Sequence, residues 1–196
     1  MSEARFAILY LTPERHPSPR ADVAALFGKY LPRFGFRVDL LTQAAEPGAV
    51  ADWPGGHNRV RPVKGRRSRD TLAGLVHRLR SLYLASLSGY DVVVVRDMPS
   101  IAALGWLACR LRGRAFVYWM SFPIVDSYRM LADLGPRKIG WLRWLYARLR
   151  EHAGGFLLRR VVLPGANHVF VQSAAMLEDV LTKGCSSERT TPVPMG

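Results

Sequence analysis

YDVVVVRD, from Tyr90 to Asp97, sets four consecutive valines ahead of a charged pair. A half-exposed strand alternates apolar and polar residues. An unbroken β-branched run instead describes a strand buried on both faces, as in a parallel sheet covered by helices on each side. The strand is read over Asp91–Val95, with Arg96-Asp97 following it at the carboxyl end.

Working outward, Phe6–Leu11, Phe36–Thr42, Ala115–Trp119 and His168–Val171 have the same short apolar character, and Arg59–Val63 is a weaker version of it. Helical patterns separate them. Ser18-Pro19 reads as an N-cap followed by proline at the first helical position. Val23, Leu26, Phe27, Tyr30, Leu31 and Phe34 then follow at helical spacing, Pro32 bends or ends the last turn, and Gly35 closes it. A second helix is expected from near Asp97 to just before Gly113, and a third from Ser173 to Gly184, burying Met176, Leu177, Val180 and Leu181. Strand alternating with helix over residues 1–196 predicts an α/β fold: one Rossmann-like domain with a doubly wound, mainly parallel sheet. Right-handed crossovers put every strand's carboxyl end on one edge, so Thr12–Ser18, Arg96-Asp97, Met120–Asp126 and Gln172-Ser173 should lie together. Gln43–Asn58 is a Gly/Pro/Ala-rich loop, and Pro123–Pro164 is a long, mostly helical excursion between two strands.

Composition bounds the rest. The chain has 196 residues, 49% apolar and 22% charged, as in ordinary globular proteins. Its net charge of +13 favours anionic partners such as lipid headgroups, nucleic acid or phosphorylated substrates. Cys109 and Cys185 are far apart and suggest neither a zinc nor a redox motif; Cys109 sits in an apolar run and reads as core. His16, His57, His77, His152 and His168 show no metal-ligand spacing, and neither metal nor cofactor is expected. Met1–Arg5 lacks the layout of a signal peptide, and the longest apolar stretch, Met98–Cys109, is too short to span a bilayer. A cytoplasmic protein, soluble or peripheral on the inner face of the membrane, is expected.

The expected ligand edge carries polar groups, each with a plainer reading beside it. The loop Thr12–Arg20 holds no glycine, which excludes the usual Gly-x-Gly-x-x-Gly dinucleotide site. Arg15, His16 and Arg20 could place positive charge over a phosphate, or simply form a solvated loop. Arg96 and Asp97 could hydrogen-bond a polar substrate, although Asp97 could equally cap the next helix. Ser121 lacks the framing of a nucleophile elbow, and Ser173 follows the His168–Val171 strand. Two basic helical stretches interleave cations with apolar residues. One is Lys64–Leu82. The other runs from Arg137 and Lys138 through Trp141 and Trp144 to Arg159-Arg160. Both suit an interfacial membrane helix, or a core-facing stripe with a solvated basic face.

Two segments together resemble one family. YDVVVVRDMPSIAALGWLACRLRGRAFVYW (Tyr90–Trp119) resembles the fourth and fifth strand region of family-4 retaining glycosyltransferases of the GT-B fold. ANHVFVQSAAMLEDVLTKGCSSERTTPVPMG (Ala166–Gly196) resembles the last unit of their amino-terminal domain, closing on an ERxxxVPNG-like run with Met195 in place of Asn. Thr12–Arg20 departs from the family's glycine-rich loop, and Ser121 stands where many members carry His. The resemblance implies the acceptor-binding half of a two-domain enzyme that transfers a sugar, with retention, from a nucleotide-sugar to a lipid-linked or polysaccharide acceptor. The carboxy-terminal domain, holding most of the donor site, is expected beyond Gly196, so the chain alone should be inactive. Arg15, His16, Arg20, Arg96, Asp97, Ser121 and Ser173 become candidates for acceptor or donor-phosphate binding. Arg137, Lys138, Trp141 and Trp144 become candidates for facing an anionic membrane. The alternatives are a non-catalytic, membrane-peripheral subunit of a split enzyme and a nucleic-acid-binding domain, the latter without a recognition motif.

Overall fold

A computed structural model describes residues 6–18, 20–42, 44–45, 53–56 and 87–194. The main sheet has six strands: β1 (Phe6–Leu11), β3 (Phe36–Leu41), β5 (Val92–Arg96), β6 (Ala115–Met120), β7 (His168–Val171) and β8 (Thr190–Pro192). Its order is β3-β1-β5-β6-β7-β8 and every pairing is parallel. A separate parallel pair joins β2 (Arg15–His16) to β4 (Ala44–Ala45).

Side chains alternate cleanly between two cores. Leu9, Leu11, Val93, Val95, Phe116, Tyr118, Val169 and Val171 face one layer of helices, and Ile8, Tyr10, Val38, Leu40, Val94 and Trp119 face the other. Burying each such aliphatic or aromatic side chain is worth ~1.5–3 kcal/mol before the cost of ordering the chain. The valine run is therefore covered on both sides. Burial raises the Cys109 thiol to about 12 within the first core, so it is a packing group rather than a nucleophile.

The helices are the α1 turn (Leu31–Arg33), α2 (Pro99–Arg112), α3 (Ile124–Asp133), α4 (Pro136–Ile139), α5 (Trp141–Leu157), the α6 turn (Leu163–Gly165) and α7 (Ala174–Thr182). Gly113, at φ +61, stops α2 as expected, and Arg114 N–H donates back to the Cys109 carbonyl at 2.9 Å. Ser173 caps α7, its hydroxyl accepting from Met176 N–H at 3.2 Å.

Several expectations change. The first helix starts at Asp22 rather than at Ser18-Pro19; Ser18 Oγ instead takes Arg20 N–H at 3.2 Å in a local turn. From Asp22 to Tyr30 that helix is π-wound, and only then reaches α1. With i→i+5 bonding the inward positions recur as Asp22/Phe27 and Val23/Gly28, so Tyr30 (48% exposed) and Phe34 (74%) leave the predicted apolar stripe. The β5 strand is shifted by one, so Arg96 lies inside it. The Thr12–Arg20 segment contains β2, and the closing segment contains β8 beside β7. The second basic stretch is interrupted at Gly140 (φ +84), which separates α4 from α5. Arg59–Val63, Lys64–Leu82, Pro19, the Arg15 side chain and most of Gln43–Asn58 lie outside the described residues.

The long excursion rises above the sheet. β6 delivers the chain to the carboxyl edge, and β7 requires it back at the amino edge. The helical run Trp141–Gly165 is about 37 Å long at the usual rise, against roughly 20 Å for a six-residue strand such as β6. α3 packs along α5, with Val125 against Gly154 and Gly155, so this hairpin overhangs the carboxyl edge. Among the described residues no helix is long and apolar enough to cross a membrane.

Candidate functional site

The strand register sets the site. Tyr10 pairs with Val94, Leu11 with both Val95 and Leu41, and Arg96 with Trp119. One step further, Thr12, Thr42 and Arg96 stand in one row at the carboxyl edge. β1 lies between β3 and β5, so the chain reverses its winding direction at this row. Such a switch point leaves a crevice where α/β proteins hold ligands.

Below the crevice is a buried charge network. The Arg96 side chain is fully buried, which an arginine tolerates only when its charge is met. Its Nη1 lies 2.7 Å from Asp22 Oδ2 on the π-wound helix, and its Nε donates to Ser121 Oγ at 2.8 Å and to Asp97 Oδ2 at 3.3 Å. Asp97 in turn accepts the backbone N–H groups of Ser121 at 2.8 Å and Phe122 at 3.1 Å through Oδ1, and the Ser121 hydroxyl through Oδ2. Its backbone is left-handed at φ +48, and its own N–H donates to the Trp119 carbonyl at 3.1 Å. One guanidinium thus ties together the start of the first helix, the end of β5 and the loop after β6.

The electrostatics follow from burial. Desolvation works against the Arg96 charge, but Tyr10, Asp22 and Asp97 outweigh it and hold the group above its ordinary value. Burial lifts the Asp97 carboxyl; the hydrogen bonds from Ser121 and Phe122 and the Arg96 charge oppose that rise without cancelling it. Burial also raises the Tyr10 and Tyr118 phenols, which stay protonated. Around this network, His16 Nδ1, Asp22 Oδ1, Thr42 Oγ1 and Gln172 Nε2 are buried without a regular hydrogen bond among the described residues, and the Tyr10 hydroxyl faces Arg96. Buried polar groups are ordinarily paired. These exceptions sit at or beside the carboxyl ends of the strands, whereas Arg37 Nε, also without a regular hydrogen bond, lies near the amino end of β3.

The structure brings together three of the predicted residues, Arg96, Asp97 and Ser121. The predicted helix-capping role of Asp97 is replaced. Met98 occupies the cap position of α2, because the Asp97 side chain is already committed to Ser121 and Phe122. His16 is buried rather than solvated, while Arg20 is exposed and paired with Glu14 at 3.3 Å. Ser173 spends its acceptor on the α7 cap. Sequence reasoning missed Asp22, Tyr10 and Thr42. Asp22 sits on the apolar face only because the helix is π-wound, and Thr42 is placed by register alone.

On the overhanging hairpin, Arg137 and Lys138 are exposed, Trp141 is 60% exposed, and Trp141 and Trp144 stack at 5.1 Å. Leu142, Leu145, Leu149 and Phe156 extend an exposed apolar stripe along α5. Among the described residues no group of three or more His, Cys, Asp or Glu could hold a metal ion.

A family model described as glycosyl transferase 4-like domain matches residues 21–196. Among solved structures, sucrose-phosphate synthase from Thermosynechococcus elongatus superposes with a TM-score of 0.57 at 15% identity, covering 97% of this chain and 89% of that one. UDP-GlcNAc 2-epimerase from Methanocaldococcus jannaschii superposes with a TM-score of 0.53 at 12% identity over 95% of this chain. HepE from Anabaena, solved in complex with UDP, gives 0.50 at 18% identity over 97%. The chain spans 44% of the length of each of the latter two. A comparison with curated proteins finds no match.

Proposed function

The chain belongs to the glycosyl transferase 4-like domain family, and from that premise we propose that it is the acceptor-binding domain of a nucleotide-sugar-dependent enzyme that transfers a sugar with retention. The observation that carries the reading is the switch-point crevice, where a buried network holds Asp97 and Ser121 at the rim and polar groups converge unpaired. Most of the donor contacts belong to a second domain closing over that edge. This domain's part is positional and electrostatic. Asp97, Ser121 and Ser173 orient the acceptor hydroxyl, while the segment of Arg15, His16 and Arg20 faces the donor diphosphate as it departs, its two arginines supplying positive charge. Preorganisation is the point of the Arg96 clamp: the loops carrying Asp97 and Ser121 are fixed before substrate arrives.

A peripheral role at the inner face of an anionic membrane accompanies this function. Between Pro136 and Val162 the sequence holds seven cations and one carboxylate, interleaved with the exposed Trp141, Leu142, Leu145 and Leu149. Such a surface would bring the crevice close to a lipid-linked acceptor. The test is sugar transfer by the enzyme that carries this domain, from labelled UDP- or GDP-sugars to lipid extract and to oligosaccharide. The anomeric configuration of the product is then read by NMR. Transfer with retention is the expected result; an inverted product, or transfer to neither acceptor, contradicts the proposal.

A further inference from the structure

Two grooves flank the seam where α3 meets α5. One, of about 250 Å³, is lined by charged groups including Arg129, Glu151 and Lys183. These satisfy one another: Glu151 pairs with Arg129 and Arg148, and Lys183 with Asp179. The other, of about 270 Å³, is built differently. Pro99, Ser100, Ile124, Tyr128, Leu149 and Ala153 line it, and Arg150 is its one charged wall residue. Arg150 sits over the Tyr128 ring at 5.3 Å and the Tyr146 ring at 5.9 Å, and pairs with no carboxylate among the described residues.

The position of this second groove matters as much as its lining. Pro99-Ser100 follows Asp97 by two residues, and Ile124 follows Ser121 by three. The two loops clamped by Arg96 therefore continue directly into the groove's walls. At its other end Leu149, 64% exposed, joins the open apolar stripe of Leu145 and Leu142. An apolar groove thus lies beside the loops of the candidate acceptor site and borders an apolar, cation-rich surface. Arg150 stands in its wall, half-buried against the two tyrosine rings, with no carboxylate partner among the described residues.

We propose that this groove takes the hydrocarbon chain of a phosphate-bearing amphiphilic acceptor, with Arg150 meeting the phosphate and the acceptor head reaching Asp97 and Ser121. This rests on the acceptor-binding reading and narrows its acceptor to the lipid class. A groove lined by Ile, Leu, Tyr and Ala, with one hydroxyl from Ser100 and one cation, offers an oligosaccharide few hydrogen-bonding partners. A phosphorylated chain uses both the apolar wall and the charge.

The test titrates the 196-residue chain with monomeric octyl phosphate, following binding by calorimetry and the Ile124 and Leu149 methyl signals by NMR. Saturable binding that shifts those methyls is expected, with octyl glucoside and inorganic phosphate each at least tenfold weaker. Ala153→Trp, at an exposed position, should fill the groove and weaken octyl phosphate at least tenfold with circular dichroism unchanged. Arg150→Gln should bring octyl phosphate down to the level of octyl glucoside. Equal binding of inorganic phosphate, unaltered binding by Ala153→Trp, or the same methyl shifts from maltoheptaose would overturn the assignment. None of those results touches sugar transfer itself, which the labelled-donor assay decides separately.

Discussion

At Asp97 a non-glycine residue holds φ +48 because its side chain collects two backbone N–H groups and the Ser121 hydroxyl while meeting Arg96. Asparagine tolerates that backbone and keeps the Oδ1 acceptor; alanine does neither. Asp97→Ala is expected to cost ~2 kcal/mol, from a stripped buried amide and the strained backbone, and Asp97→Asn about half that, both read from urea denaturation. The pH dependence has a definite sign. Below the ordinary carboxylate range both states carry the proton. As pH rises toward the raised native value, the unfolded chain loses its proton first, so this residue makes stability fall with pH. Asn at this position should remove that component. Arg96→Met, which leaves Asp22 and Asp97 buried without their cation, is expected to cost ~3–5 kcal/mol by the same measurement. From sequence, Arg96-Asp97 was legible as a charged pair at a strand end. Its partners were not, because Asp22 and Ser121 are 74 and 25 residues away from Arg96 and meet it only through sheet register and helix winding.

The helix Asp22–Tyr30 shows where periodicity fails. Spacing of three and four residues was present in Val23, Leu26, Phe27 and Tyr30, but the winding buries positions five apart. No single residue announces a π-helix, so Tyr30 and Phe34 were misplaced while Val23 and Phe27 were not. The α3–α5 excursion was legible as helical and basic. Its breaks at Gly135 and Gly140 and its overhang depend on left-handed glycines and on helix length relative to strand length. If α5 and its neighbours lie on a membrane, the chain should sediment with vesicles containing anionic lipid and remain free of neutral ones. Leu142→Glu should weaken that binding severalfold, since Leu142 is 80% exposed and the change has little to disturb in the fold. Equal sedimentation with neutral vesicles, or no effect of Leu142→Glu, would remove the membrane from the account. Raising salt should release the protein, because surface cations act within a Debye length of about 10 Å at 0.1 M.

For the whole molecule, the four valines of Val92–Val95 carried the correct architecture: parallel pairing, two covered faces, and strand ends gathered on one edge with Thr12 beside Arg96. That much is dictated by burial and crossover handedness, which a sequence exposes. The edge strand β8 escaped because Thr190–Pro192 has only three residues and exposes two of them, leaving no apolar run to read. The central claim is a division of labour, in which this domain prepares the acceptor edge and another supplies the donor site. Calorimetric titration of the 196-residue chain with a UDP-sugar tests it most directly. The account predicts no measurable heat of binding at millimolar ligand; saturable micromolar binding by this chain alone would contradict it.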